Sequence, residues 1–351
     1  MFDESTKIRV GIAGYGLSGR LFHAPFIAAD SRFELHAVYE RSADQSKTDY
    51  PDSITVRDYA SLLDAGIDAI VITTPNPLHV SMAEQAIKAG KHVVVEKPAA
   101  ITSAEVHKLA ELAKEKGVLF TVYQNRRFDS GFLTAKKLIE DGVLGEIVDY
   151  RASFDRFAFG TNPKKWKAEG GRGIDILYDR GIHIIDQAYC LFGLPESVYA
   201  DMRQLREESS GVDSIEVRLN YSSGLRAVLT ASDVAAAPGP VIHINGRKGS
   251  FIKYGADTQE EALKSGKRPP ASDWGADPPD SYGTLIKAGN RELISTRVPS
   301  ISGNYGAFYD DLYNALTRGT EPAVKPSEAA DVLSIVEAAI LSNQKGCLIR
   351  I

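Results

Sequence analysis

The chain predicts an α/β protein in which a doubly wound parallel sheet is followed by an α+β domain with an open, mainly antiparallel sheet. Three observations carry that prediction. The opening 122 residues alternate short β-branched runs with helical patterns, as the strands and crossover helices of a parallel sheet do. A glycine loop, Gly14-Tyr15-Gly16-Leu17-Ser18-Gly19, follows the first of those runs. Beyond Tyr123 the texture changes to segments in which apolar and polar residues alternate, the pattern of antiparallel strands with one covered face. At 351 residues the chain fits two domains better than one core, with boundaries at 1–122 and 123–351.

In order, 8–13, 33–40, 69–73, 92–95 and 118–122 read as strands of the first sheet. Between them 80–89 and 103–116 read as helices, closed by Gly90 and Gly117 in the C-cap manner. In the second half 130–140, 174–191, 305–317 and 327–344 read as helices, and 197–203, 214–221, 224–231, 241–245 and 250–253 as strands. The stretch 255–283 is rich in Gly, Pro and charge and reads as a long excursion, with Tyr254, Trp274 and Tyr282 as candidates for lining a pocket. Loops of that length in compact domains are functional or disordered.

The composition excludes several classes. A net charge of −5 with 43% hydrophobic and 25% charged residues gives no footprint for nucleic acid or an anionic membrane. No apolar run approaches the roughly 18–20 residues of a spanning helix. Asp3 and Glu4 stand where a signal peptide would be basic and then apolar, so a cytoplasmic location is expected. Cys190 and Cys347 are the two cysteines; neither has metal-ligand spacing, and both read as small buried apolar residues. No metal site is expected.

The glycine loop carries a specific chemistry because of its setting. Gly14 permits the tight turn, Gly16 lets backbone approach a pyrophosphate, and Gly19 allows close helix–strand packing. The helix that follows presents unpaired N–H groups to phosphate, which makes Leu17 and Ser18 contact candidates. With a strand before it, a helix after it and an acidic residue ending the second strand, this reads as a dinucleotide-binding fingerprint; the alternative is a merely tight β–α turn. Glu40 lies 21 residues past Gly19, about the spacing at which a carboxylate accepts from the adenosine ribose and selects NAD. Arg41 and Ser42 beside it would instead take a 2′-phosphate, with Glu40 turned aside, or Arg41 is simply solvated.

Two loops follow strands at the carboxyl edge, where open sheets bind ligands. Thr74-Pro75-Asn76 is stiffened by proline and offers the Asn76 amide to a cofactor; His79 is either part of that loop's chemistry or a helix residue packed beneath it. Glu96-Lys97-Pro98 places an ammonium at a strand end, able to stabilise charge on a carbonyl or alkoxide oxygen and to relay a proton. The alternative is an exposed Glu–Lys pair worth little. Further on, Asp179, His183 and Asp186 recur at helical spacing opposite Gly181, Ile184, Ile185 and Ala188. Asp179 would then orient His183 as a general base. A surface Asp–His pair and a metal site remain alternatives, the latter without a third ligand of persuasive spacing.

Taken together, Gly14-x-Gly16-x-x-Gly19, Glu96-Lys97-Pro98 and Asp179-x-Gly181-x-His183-x-x-Asp186 resemble the glucose–fructose oxidoreductase, inositol dehydrogenase and rhizopine-catabolism (Gfo/Idh/MocA) family over essentially the whole chain. The segments 38–42 and 123–129, including Gln124 and Asn125-Arg126-Arg127, look most like the family's NADP-dependent scyllo-inositol dehydrogenases. The resemblance implies that Lys97, Asp179 and His183 surround the reacting carbon, that Gln124 and Trp166-Lys167 reach the cofactor, and that the open sheet forms a dimer face. It implies a cyclic polyol or sugar substrate held in part by Asn125, Arg126 or Arg127, with ordinary surface or interface pairing as the alternative for the two arginines, and NADP as cofactor with NAD as the alternative, in a homodimer or homotetramer. A keto- or anhydro-sugar reductase and a non-catalytic dinucleotide sensor share these motifs, although a sensor has no need of all three catalytic residues. Arg172 within the glycine run, the bulky Arg180, and Asp179 where close relatives can carry Asn are departures that bear on substrate identity.

Overall fold

The computed structural model describes residues 6–160, 173–209 and 211–351. The chain forms two compact units, one from Met1–Asn125, Glu260–Trp274 and Tyr305–Ala330, the other from Arg126–Gln259, Gly275–Asn304 and Asp331–Ile351. Of the chain expected in the second domain, two segments therefore pack into the first unit.

The first unit is built on six parallel strands: β1 (Ile8–Ala13), β2 (Phe33–Tyr39), β3 (Ile54–Val56), β4 (Ala69–Ile72), β5 (His92–Glu96) and β6 (Phe120–Tyr123), in the order β3-β2-β1-β4-β5-β6. β4 is Ala-Ile-Val-Ile and wholly buried, as expected of a parallel strand with both faces covered. The order reverses between β1 and β4, so the crevice at their carboxyl ends is the ligand position of a doubly wound sheet. β3 has no counterpart among the expected strands, being only three residues long.

The helix after the glycine loop is not regular. Gly19–His23 forms a π-turn closed by Ala24 N–H on the Gly19 carbonyl, and the α-helix Ala24–Ala29 follows. Pro25 stands in that helix's first turn and has no N–H to return to residue 21, so the chain cannot run as one continuous α-helix from Gly19. Behind it lies an aromatic cluster: the Phe26 ring stacks on Tyr309 at 6.2 Å, and Tyr123 meets Phe308 edge-on at 4.8 Å. Phe308, Tyr309, Leu312, Tyr313 and Leu316 form the buried face of the helix Ala307–Arg318, an apolar stripe at helical period.

The second unit carries nine strands: β7 (Ile147–Ser153), β8 (Ser197–Arg203), β9 (Ser214–Asn220), β10 (Arg226–Ser232), β11 (Ile242–Gly246), β12 (Gly249–Lys253), β13 (Gly283–Ala288), β14 (Leu293–Val298) and β15 (Ile349–Arg350). Their order is β14-β13-β12-β11-β7-β10-β9-β8-β15. The pairs are antiparallel except β7 with β10, which run parallel. β7, central in this sheet, is absent from the expected strands: Asp149 and Arg151 point outward and bond each other, which breaks up its apolar signal.

Two expectations are corrected. The expected helix at 174–191 is a π-turn, Leu177–Gly181, leading into an α-helix, Ile182–Phe192. The latter has no polar face over its first two turns, because His183 and Asp186 are buried with Ile182, Ile184, Ile185 and Ala188. The cysteines are not both interior: Cys190 is half-buried and Cys347 exposed. Among the described residues no helix is long and apolar enough to cross a membrane.

Candidate functional site

The glycine loop is shaped by close backbone packing. Gly14 has φ of 99°, in the region that favours glycine, and its carbonyl accepts from the Thr73 hydroxyl at 2.6 Å. A Cβ on Gly19 would lie 2.3 Å from that same carbonyl oxygen, so no other residue fits. A Cβ on Gly16 would meet nothing within 4 Å, which leaves the outer side of the loop open to a ligand. The loop therefore fits a dinucleotide pyrophosphate, with Leu17 exposed at its crest.

Ser18, the next loop residue, turns its hydroxyl onto Glu96 Oε1. His23 Nε2 stands 3.1 Å from the same oxygen, and His23 Nδ1 lies 2.7 Å from the Tyr309 hydroxyl. With the hydroxyl donating to Nδ1, His23 carries its proton on Nε2 and donates it to Glu96. Glu96 Oε2 accepts the Lys97 main-chain N–H at 3.1 Å. Burial works against the Glu96 anion, but His23, the Ser18 hydroxyl and Lys97 outweigh it and hold the carboxyl below its ordinary range. Glu96 is thus no exposed partner of Lys97. It ties the glycine loop to the strand end that bears Lys97.

His79 plays a similar part for the neighbouring loop. Fully buried, it sets Nδ1 2.8 Å from the Pro98 carbonyl and Nε2 2.8 Å from the Thr74 carbonyl. Burial lowers its pKa, opposed by those two carbonyls. It lies beneath the Thr74-Pro75-Asn76 loop and fastens it to the Lys97-Pro98 turn. Gln124, just past β6, is buried, with its side-chain oxygen lacking a hydrogen-bond partner among the described residues; Asn125 is buried beside it in sequence.

At the end of β2, Glu40 points inward. Its Oε2 accepts the Ser46 main-chain N–H at 2.8 Å and the Ser46 hydroxyl at 2.5 Å, and both residues are buried. Arg41 and Ser42 are exposed.

In the second unit, Asp175 opens the π-turn by accepting the Leu177 and Tyr178 N–H groups at 2.9 and 3.3 Å, a capping role its place before an apolar helix signals in the sequence. Burial and the adjacent Asp179 raise the Asp175 pKa. His183 is 5% exposed, which removes the surface-pair alternative, and its ring lies 6.1 Å from that of Phe154. Arg180 is interior: it donates to the Phe154 and Ser232 carbonyls at 2.9 and 3.1 Å and pairs with Asp233 at 2.7 Å. Burial lowers its pKa to about 10.

Asp186 is taken by a bidentate pair with Arg127, at 2.9 and 2.7 Å. Arg126 lays its guanidinium over the Phe154 ring at 4.5 Å and bonds Asp129 at 3.2 Å. Trp166 and Lys167, with Arg172, lie outside the described residues. His23, Tyr309, Ser46 and Asp175 were not singled out from sequence, and of these only Asp175 left a local signal.

Residues 8–124 match the model described as "Oxidoreductase family, NAD-binding Rossmann fold", and 136–351 its "C-terminal alpha/beta domain" counterpart. The chain is 38% identical to scyllo-inositol 2-dehydrogenase (NADP(+)) IolW of Bacillus subtilis (strain 168), covering 96% of this chain and 94% of that protein. It is 40% identical to the oxidoreductase YdgJ of Escherichia coli (strain K12), covering 96% and 97%. The solved structure of the oxidoreductase yvaA from Bacillus subtilis superposes with a TM-score of 0.94 at 37% identity, covering 98% of each chain.

Proposed function

The chain belongs to the Gfo/Idh/MocA oxidoreductase family, and from that premise we propose that it oxidises, reversibly, a secondary alcohol of an inositol-like cyclic polyol or sugar with NADP. As a member it is an NAD(P)-dependent dehydrogenase with a Rossmann cofactor domain. The observation that carries the finer reading is the strand end of β5: Lys97 follows Glu96 directly, and Glu96 grips the glycine loop through Ser18 and the Lys97 N–H. Chemistry at Lys97 is thereby anchored to the loop that would hold the cofactor's phosphates.

A bound nicotinamide dinucleotide supplies the hydride acceptor. The glycine loop would hold its pyrophosphate, Thr74-Pro75-Asn76 its nicotinamide half, and Arg41 with Ser42 the 2′-phosphate. His183 takes the substrate hydroxyl's proton on a ring nitrogen, with Asp179 fixing its tautomer. Lys97 donates to the same oxygen and stabilises its developing charge. Asn125 and Arg126 stand as substrate-hydroxyl ligands, whereas Arg127 is committed to Asp186. The relative that acts on scyllo-inositol with NADP(+) supports both the substrate class and the cofactor, and the inward turn of Glu40 supports NADP independently.

A turnover screen over inositols, glucose, xylose and their keto forms with NADP and NAD tests this. Activity on an inositol or a related polyol is expected, and Lys97→Ala and His183→Ala each lose about 10²–10⁴-fold in kcat, the scale of general acid–base catalysis. Near-normal turnover in either variant removes the role assignment, and tight cofactor binding without turnover on any compound identifies a sensor.

A further inference from the structure

The carboxylate ending β2 is the group that, in a dinucleotide fold, accepts from the adenosine ribose and selects NAD. Here it is held elsewhere. Glu40 Oε2 receives two hydrogen bonds from one residue, the Ser46 N–H at 2.8 Å and the Ser46 hydroxyl at 2.5 Å. Ser46 is fully buried, Glu40 is 7% exposed, and the Ser46 hydroxyl also meets Thr55 Oγ1 at 3.2 Å. The loop between them is pinned from outside: Arg57 donates to the Glu40 carbonyl at 3.1 Å and to the Ala43 carbonyl, and pairs with Asp44. What remains on the surface at this strand end is Arg41 to Asp44, with the Asp44 carboxylate neutralised by its pair with Arg57, so that Arg41 and Ser42 are the groups left to meet a ligand. Among the described residues Arg41 has no hydrogen bond or ion pair.

We propose that Ser46 is the residue that sets cofactor choice in this chain, as a positioning residue: it captures the Glu40 carboxylate and so converts an NAD-selecting strand end into a 2′-phosphate site. The inference rests on the NADP reading above and names its cause. Two effects follow from one capture. A ribose 2′-hydroxyl loses its acceptor, which weakens NAD(H). A 2′-phosphate is spared a facing carboxylate, which would repel it, and finds the Arg41 guanidinium and the Ser42 hydroxyl. Arg57 contributes by fixing the carbonyls of the 40–44 loop, so that Glu40 cannot swing outward with its backbone.

The test is cofactor binding, read by NADPH and NADH fluorescence titration, on wild type, Ser46→Ala and the double variant Ser46→Ala/Glu40→Ala. Wild type is expected to prefer NADPH. Removing the hydroxyl deletes one bond to a charged group, so the NADPH/NADH preference falls by about tenfold or more. NADH gains because Glu40 becomes available to the ribose, and NADPH loses because the carboxylate faces the phosphate. In the double variant the NADH gain disappears, a coupling that a merely structural role for Ser46 does not produce. Ser46→Gly deletes the same hydroxyl with no side chain to seat and gives the same ratio change should the alanine variant fold poorly. A wild type that prefers NADH refutes the NADP reading and this inference with it. A wild type that prefers NADPH, with a ratio unmoved by Ser46→Ala and Ser46→Gly or an NADH gain that survives loss of Glu40, overturns the role of Ser46 alone.

Discussion

Replacing Glu96 by Gln keeps the side chain's shape and removes its charge, and the structure sets the size of the loss. Three donors converge on the carboxylate: the Ser18 hydroxyl, His23 Nε2 at 3.1 Å and the Lys97 N–H at 3.1 Å. A hydrogen bond to a charged group contributes about 1.5–3 kcal/mol and one between neutral groups about 0.5–1.5, so each contact loses about 1 kcal/mol. The Lys97 contact fares worse, because an amide that offers its oxygen to Ser18 and His23 turns its NH₂ toward another donor. The sum is about 3 kcal/mol, or a fall of roughly 6–12 °C in melting temperature for a unit of this size. The sign with pH follows from the depressed Glu96 pKa. The folded value lies below the ordinary 4.5, so the stabilisation is complete above that pH and is lost as pH falls through the folded value. Thermal melts of wild type and E96Q should show the same gap at about pH 7 and 5.5, and a narrowing gap below about pH 4.5. A variant that melts with wild type at neutral pH, or a gap that widens on acidification, refutes the reasoning.

The remaining predictions concern other groups that act through their neighbours. Arg127→Met strands Asp186 as a buried charge and should cost about 3–5 kcal/mol in urea denaturation, with Arg127→Met/Asp186→Leu recovering most of it; equal losses in the single and double variants would place the energy elsewhere. His79→Ala takes the single N–H of the neutral ring away from whichever of the Thr74 and Pro98 carbonyls it serves, about 1–3 kcal/mol by denaturant midpoint, and slows turnover because the Lys97-Pro98 turn loses its support. Tyr309→Phe removes the donor to His23 Nδ1 and should cost about 1–3 kcal/mol, without a change in aromatic packing by near-ultraviolet circular dichroism.

What was legible in the sequence is what is decided locally. The glycine loop needs particular backbone angles and clearances at Gly14 and Gly19, and only glycine supplies them, so the motif and its geometry coincide. The helices Ser103–Lys116 and Ser130–Glu140 span the residues the sequence reading gives them, 103–116 closed by Gly117 and 130–140, and in the structure the first opens on a capping box at Thr102 and Glu105. The π-turn at Leu177–Gly181 was not legible, since helical spacing alone assumes a uniform period. Nor was the Tyr309–His23 contact, which joins positions 286 apart. β7 escaped because Asp149 and Arg151 interrupt its apolar pattern; Asp149 accepts from Arg151 on its own strand and pairs with Arg226 on β10, and the second pairing is visible only once the strands are neighbours.

The polar residues that the motifs single out do not all meet the reactants, and the hydrogen bonds decide which do not. Glu96 spends its oxygens on Ser18, His23 and the Lys97 backbone; His79 is enclosed between two carbonyls, to one of which it donates; Glu40 is taken by Ser46 and Arg127 by Asp186. Each of these groups is buried or nearly so, where an unmade hydrogen bond costs more than a made one contributes, so none is released cheaply to greet a ligand. Their effect on catalysis must then pass through the backbone they hold: the glycine loop, the Thr74 loop, the Lys97-Pro98 turn and the 40–44 loop, and for Arg127 its own turn, Asn125–Phe128. Substitutions of Glu96, His79 and Glu40 should therefore alter cofactor affinity and stability together, whereas Lys97→Ala, which keeps the main-chain N–H that Glu96 accepts, should lower kcat with the melting temperature little changed. That separation divides the motif into residues that react and residues that position them.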